Sequence, residues 1–152
     1  MNQIYLHPKY QAIFNSDSRY FVITGGRGSG KSFGVNVFLL NLTYEAGHKV
    51  LFTRYTLTSA GASIIPEFIE KIELMGVESD FRITKDEIIN LTTGSSIMFK
   101  GIRTSSGNQT AALKSLSGVT TFVLDEAEEL TDEDTFSTVS YTHLTLPTIY
   151  SV

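Results

Sequence analysis

The sequence predicts an α/β domain, a mainly parallel central sheet flanked by helices and incomplete at its C-terminus. Three stretches predict it. The apolar, β-prone run Tyr20-Phe21-Val22-Ile23 enters a glycine-rich loop and then a helix-like pattern from Lys31. Val50-Leu51-Phe52-Thr53 reads as a second buried strand ending at Arg54. Thr120-Thr121-Phe122-Val123-Leu124 reads as a third, delivering Asp125 and Glu126 at its end. Strand, helix and strand in succession form a βαβ unit, whose strands pair in parallel through a right-handed crossover. Ligands of such sheets bind beyond the carboxyl ends of the strands.

The loop carries the first chemistry. Gly25-Gly26-Arg27-Gly28-Ser29-Gly30-Lys31-Ser32 fits G-x-x-x-x-G-K-[ST], the P-loop or Walker A pattern, at each fixed position. Glycines let the backbone turn N–H groups toward an anion, and the helix N-terminus adds its partial positive charge there. Lys31 is placed to reach β- and γ-phosphates, and the Ser32 hydroxyl to ligate Mg²⁺. ATP and Mg²⁺ are therefore the expected cofactors, with Gly25 to Ser32 as the binding residues. At the end of the third strand, Asp125 fits a Walker B aspartate that holds Mg²⁺, usually through water, and Glu126 is placed to polarise an attacking water. Two acids after an apolar run are a weak signal alone. Following a full phosphate loop at this spacing, they become a strong one.

Composition bounds the rest. At 152 residues the chain fits one domain, and its 41% hydrophobic content supports a core. It has no cysteine, so disulfides and thiolate metal sites are excluded. No apolar targeting segment follows Met1 and no run approaches membrane-spanning length, so a soluble, non-secreted protein with no membrane partner is expected. A net charge of −4 argues against a generally basic protein that coats nucleic acid, without excluding a local basic track. His7, His48 and His143 lack ligand spacing.

In chain order, residues 1–19 are mixed. Asn15-Ser16-Asp17-Ser18 reads as a turn, and the aromatic residues with Gln11 read either as an adenine contact or, preferably, as a short helix packed on the sheet edge. Phe33, Val37, Leu40 and Tyr44 recur at helical spacing after the loop, with Gly47 as the expected stop. Ile64, Ile65, Phe68, Ile69, Ile72 and Met75 predict a second amphipathic helix that starts near Ser63 to Ile65, since Pro66 fits only a first turn, and closes at Gly76. Its polar face carries Glu67, Glu70, Lys71 and Glu73. Glu87 to Leu91 and Ser96 to Lys100 flank Thr92-Thr93-Gly94-Ser95 as a hairpin, with Phe81-Arg82-Ile83 as a further strand. Gly101 to Thr110, carrying Arg103, reads as a loop, and Ala111 to Leu116 as a short helix ended by Gly118.

The phosphate loop, then Leu113-Lys114-Ser115-Leu116-Ser117-Gly118, then Asp125-Glu126-Ala127-Glu128-Glu129-Leu130 resemble the ATPase domain of tailed-bacteriophage terminase large subunits, in the family's order and at about its spacing. The resemblance covers roughly Tyr20 to Asp134. It implies an ATPase that drives double-stranded DNA through a portal protein into a procapsid in the cytoplasm of the infected bacterium. It also implies a homo-oligomeric ring, a terminase small subunit as partner and a C-terminal metal-dependent nuclease. Carried over by position, Lys31 and Ser32 bind phosphate and Mg²⁺, Asp125 binds Mg²⁺ and Glu126 is the catalytic glutamate. Arg27 matches the loop arginine that acts on the γ-phosphate, where a cation stabilises transition-state charge. Arg54 and Arg103 are candidates to serve a neighbouring subunit, with nothing in the sequence to favour either. Another P-loop nucleic-acid-dependent ATPase of helicase type, or a non-catalytic nucleotide-binding fragment, are the alternatives.

Two parts of the family pattern do not follow: the Ser/Thr/Gly coupling segment after Glu126, and the nuclease. The last charged residue is Asp134. Beyond it, Val139-Ser140-Tyr141-Thr142-His143-Leu144-Thr145-Leu146-Pro147-Thr148 resembles, at every position, the translation of a transposon-end sequencing adaptor. The expected division is therefore a P-loop ATPase domain over residues 1–138 and a non-native, exposed, β-prone tail over residues 139–152. Such a chain is expected to bind Mg·ATP weakly and to hydrolyse little of it.

Overall fold

The computed structural model describes residues 2–54, 64–101, 117–129 and 148–151. The expected loop around Arg103 and the expected helix Ala111 to Leu116 lie outside them. Strands β1 (Tyr20–Ile23), β2 (Lys49–Arg54), β3 (Phe81–Ile83), β4 (Glu87–Asn90), β5 (Ser96–Gly101), β6 (Thr121–Asp125) and β7 (Thr148–Ser151) form one sheet in the order β1-β7-β6-β2-β5-β4-β3. From β1 to β5 every neighbouring pair is parallel; β4 and β3 add on antiparallel as the expected hairpin and its extension. The mainly parallel α/β prediction holds.

Among the described residues the helices are α1 (Gln11–Asn15), α2 (Lys31–Leu42) and α3 (Ile65–Met75), with a 3₁₀ turn at Pro8–Tyr10 leading into α1. α2 forms because its first turn leaves the glycine loop directly, and Val35, Leu39 and Leu40 bury against the sheet. It stops at Leu42, short of the expected Gly47. The Thr43 hydroxyl donates to the Leu40 carbonyl at 2.6 Å, and the Tyr44 and Glu45 N–H groups bond to Asn41 and Leu42, tightening the last turn. Gly47 lies in the turn beyond, not at the cap.

α3 behaves as its periodicity predicts. Pro66 sits in the first turn and Gly76 ends the helix, with the Val77 N–H returning to Ile72 at 3.2 Å. Ile65, Phe68, Ile72 and Met75 face inward. Phe52 of β2, Phe68 of α3 and Phe99 of β5 meet with ring centroids 5.2–5.7 Å apart, in tilted or edge-on pairs. This aromatic cluster fixes α3 over the middle of the sheet.

The expected exposed tail is built differently at its end. β7 lies inside the sheet, between β1 and β6, and Ile149 is 2% exposed. An uncharged, β-prone segment satisfies the open edges of β1 and β6 with backbone hydrogen bonds, which an exposed tail cannot do.

Candidate functional site: a phosphate loop facing two acids

Because β1, β2 and β6 run in parallel, their carboxyl ends share one edge of the sheet. β1 delivers the glycine loop there, β6 delivers Asp125 and Glu126, and β2 delivers Arg54. Gly25 to Phe33 line a cleft of about 680 Å³ together with Asp125, Glu126 and Glu128. That volume suits a nucleotide-sized ligand. The expected phosphate-loop residues and the two expected acids therefore line one cavity, although they lie about a hundred residues apart.

The loop has the geometry of an anion cradle. The Ser29 N–H closes a turn on the Gly26 carbonyl at 3.2 Å, and Gly30 enters α2 at φ +78°, a left-handed conformation that L side chains resist. A Cβ built on Gly26 or Gly28 meets nothing within 4 Å, so the loop leaves open space on that side. The Lys31 ammonium folds back to donate to the Gly25 carbonyl, placing its charge within the loop. Ser32 and Arg27 are solvent-exposed on the cleft.

Opposite the loop, Asp125 is buried, with 7% of its side chain exposed. The register places Arg54 of β2 directly beside it. Arg54 donates to Asp125 Oδ2 from Nη2 at 2.6 Å and from Nε at 3.1 Å, and its Nε lies 3.5 Å from Glu126 Oε2. Burial alone would lower the Arg54 pKa; the hydrogen bond and charge of Asp125, with Glu126 and Glu67 behind them, reverse this and hold it raised. Arg54 is thus a fixed cation engaged within its own chain. Sequence reasoning placed it at the strand end but had no signal for its partner. Arg103 lies outside the described residues.

Glu126 follows β6 in a positive-φ conformation (φ 52°), uncommon for a residue with a side chain, and its carboxylate approaches the same Arg54 guanidinium that Asp125 holds. Its side chain is 44% exposed.

The residues fit Mg²⁺ and a nucleoside triphosphate. Among the described residues no group of three or more His, Cys, Asp or Glu forms a metal cage. Mg²⁺ bound with a nucleotide takes one or two protein oxygens and completes its shell with water and phosphate. Ser32 and Asp125, both on the cleft lining, carry oxygens that would fit this role. Tyr10 and Gln11, weighed as adenine contacts, divide: Tyr10 is buried behind the loop, while Gln11 lines a separate hollow with the N-terminal arm.

Comparison with known proteins bears on the family and the fold. The family described as phage terminase large subunit matches residues 17–147. No curated protein matches. Among solved structures, the HK97 bacteriophage large terminase superposes with a TM-score of 0.69 at 13% identity, over 97% of this chain and 33% of that one. The large terminase ATPase domain of Thermus phage P74-26 gives 0.63 at 16% identity, over 97% and 64%. The large terminase of another, thermophilic bacteriophage gives 0.68 at 10% identity, over 95% and 38%. These identities speak for the fold alone, and the chain spans between a third and two thirds of the structures it matches. With a family match across most of its length, the chain belongs to the phage terminase large subunits.

Proposed function

We propose that this chain is the ATPase motor part of a terminase large subunit, which hydrolyses ATP to drive double-stranded DNA through a portal protein into a procapsid. The observation that carries the reading is the shared cleft: a complete phosphate loop from β1 lines it together with a buried aspartate at the end of β6 and the glutamate that follows. In this reading Gly25 to Ser32 hold the triphosphate through backbone N–H groups. Lys31 swings from the Gly25 carbonyl onto the β- and γ-phosphates. Ser32 and Asp125 hold Mg²⁺, which when bound neutralises phosphate charge. Glu126 accepts a proton from the attacking water, and Arg27, exposed on the loop, stabilises charge on the transferring phosphoryl group.

The family assignment supports the partners expected for the whole protein: a terminase small subunit, the portal, and further copies in a ring, acting in the cytoplasm of the infected cell. Among the described residues no helix is long and apolar enough to cross a membrane. We further propose that residues 139–152 are an adaptor-derived tail on an ATPase domain spanning 1–138. The sequence match supports this, and re-reading the source DNA with a different adaptor tests it. A frame that diverges after Thr138 supports the division; the same codons returning refute it.

Nucleotide-dependent thermal stabilisation tests the site itself. A ligand that binds only the folded state raises apparent stability, by about 2.7 kcal/mol at a hundredfold excess over Kd. Mg·ADP is expected to raise the Tm of the wild-type chain and to leave Lys31→Ala unmoved. Equal shifts in both proteins would remove the cleft from consideration.

A further inference from the structure

The 3₁₀ turn Pro8–Tyr10 lies outside the cleft lining, yet it touches the phosphate loop from behind. The Tyr10 hydroxyl donates to the Ser29 carbonyl at 2.8 Å, and the Lys9 ammonium donates to the same oxygen at 3.1 Å. Lys9 also lies 4.8 Å from the centroid of the Tyr10 ring, so the two donors brace each other. The ring is held by shape: a Cβ on Gly34 would lie 2.9 Å from it, so the ring fills the space that glycine leaves on α2. Tyr10 is 5% exposed.

Peptide geometry gives this contact a consequence. The Ser29–Gly30 bond is trans, as are all peptide bonds among the described residues, so its C=O and N–H point in opposite directions. Two donors behind the loop hold the carbonyl there and thereby turn the Gly30 N–H forward, toward the cleft that Gly30 lines. Among the described residues nothing accepts that N–H. Without the donors, this peptide is free to flip and present a carbonyl oxygen to an incoming phosphate.

We propose that Tyr10, assisted by Lys9, is a positioning residue that sets the Ser29–Gly30 peptide for phosphate binding. This rests on the nucleotide-site reading above and deepens it, assigning to the N-terminal turn control over the polyphosphate and not over the base. Tyr10→Phe keeps the ring in the Gly34 hollow and removes only the hydroxyl; Lys9→Ala removes an exposed donor that no core packing needs.

The test titrates Mg·ADP and inorganic tripolyphosphate, which has no base, onto the full chain and its Tyr10→Phe, Lys9→Ala and double variants, with the ligand-free Tm measured alongside. Loss of one hydrogen bond is expected to weaken both ligands by the same factor, between about twofold and tenfold, and loss of both donors by more. The ligand-free Tm should barely move. If ADP weakens while tripolyphosphate does not, Tyr10 acts on the base and the proposal is overturned. If both variants bind both ligands as the wild type does, it is overturned as well, with the nucleotide site intact. A wild-type chain that binds neither ligand would instead overturn the site reading and the proposal together.

Discussion

At the scale of single residues, the strongest electrostatic contact in the site is the Arg54–Asp125 pair. Its 2.6 Å bond joins side chains 14% and 7% exposed. Such a pair is costly to break from one side, because a buried carboxylate is then left without its donors. Arg54→Ala should lower stability by about 1–3 kcal/mol, the range for a buried acceptor stranded at a site with some access to solvent. Arg54→Ala/Asp125→Asn should recover part of that, since no charge is then stranded. Urea unfolding checks both, and an unchanged midpoint in Arg54→Ala would show that the pair does not form in solution. A second residue-scale effect lies at Tyr44, whose hydroxyl donates to Asp80 Oδ2 at 2.7 Å. Burial, that hydrogen bond and the Asp80 charge all raise its pKa well above the ordinary tyrosine range. The unfolded chain therefore loses this proton at lower pH than the folded one. The resulting stability is full below about pH 10, the ordinary tyrosine value, and fades as pH rises above it. Wild type should lose stability above pH 10 more steeply than Tyr44→Phe, and parallel curves would deny the bond. Residue types were the most legible part of the sequence. Phosphate chemistry demands glycines, lysine and a hydroxyl at fixed spacing, so the loop announces itself. The partner of Arg54 does not, because it depends on the register of strands 71 positions apart.

At the scale of elements, periodicity carried most of the information. α3 reads correctly from its apolar spacing, its Pro66 and its Gly76, because each of these acts locally. α2 reads correctly along its body and wrongly at its end. Gly47 is the stronger stop signal in sequence, but the Thr43 hydroxyl and a tightened turn reach the backbone first. The sheet-facing side of α3 rests on Phe68, which is fully buried between Phe52 and Phe99. Phe68→Ala removes one ring from a three-ring cluster and leaves a cavity that the strands cannot collapse into. It should cost about 3–5 kcal/mol. Denaturant unfolding measures this directly, and a loss below about 1 kcal/mol would mean that α3 is not seated on the sheet. Because β2 also ends at Arg54, loosening α3 should disturb the acid side of the cleft before the loop side.

At the scale of the whole molecule, strand order was not legible. Sequence reveals which runs are strands, but the insertion of one strand between two others depends on unpaired edges that only the assembled sheet presents. β1 bears the loop and β6 bears the acids, yet they are not neighbours; β7 separates them. The spacing of the two halves of the nucleotide site therefore depends on a strand formed by Thr148–Ser151. That strand asks little of its sequence. It needs an uncharged, extended backbone and an apolar side chain where Ile149 is buried, and a β-prone tail of any origin meets those terms. An adaptor-derived tail and an interior strand are thus compatible on physical grounds. Ile149→Asp tests the placement, since it puts an unpaired carboxylate at a position 2% exposed. It should destabilise the chain by several kcal/mol, on the order of the cost of burying a charge without a partner. Deleting residues 139–152 should act in the same direction and also promote aggregation, because it bares the facing edges of β1 and β6. If Ile149→Asp unfolds at the wild-type urea concentration, the tail lies outside the sheet, and the separation of loop and acids must be set by other parts of the chain.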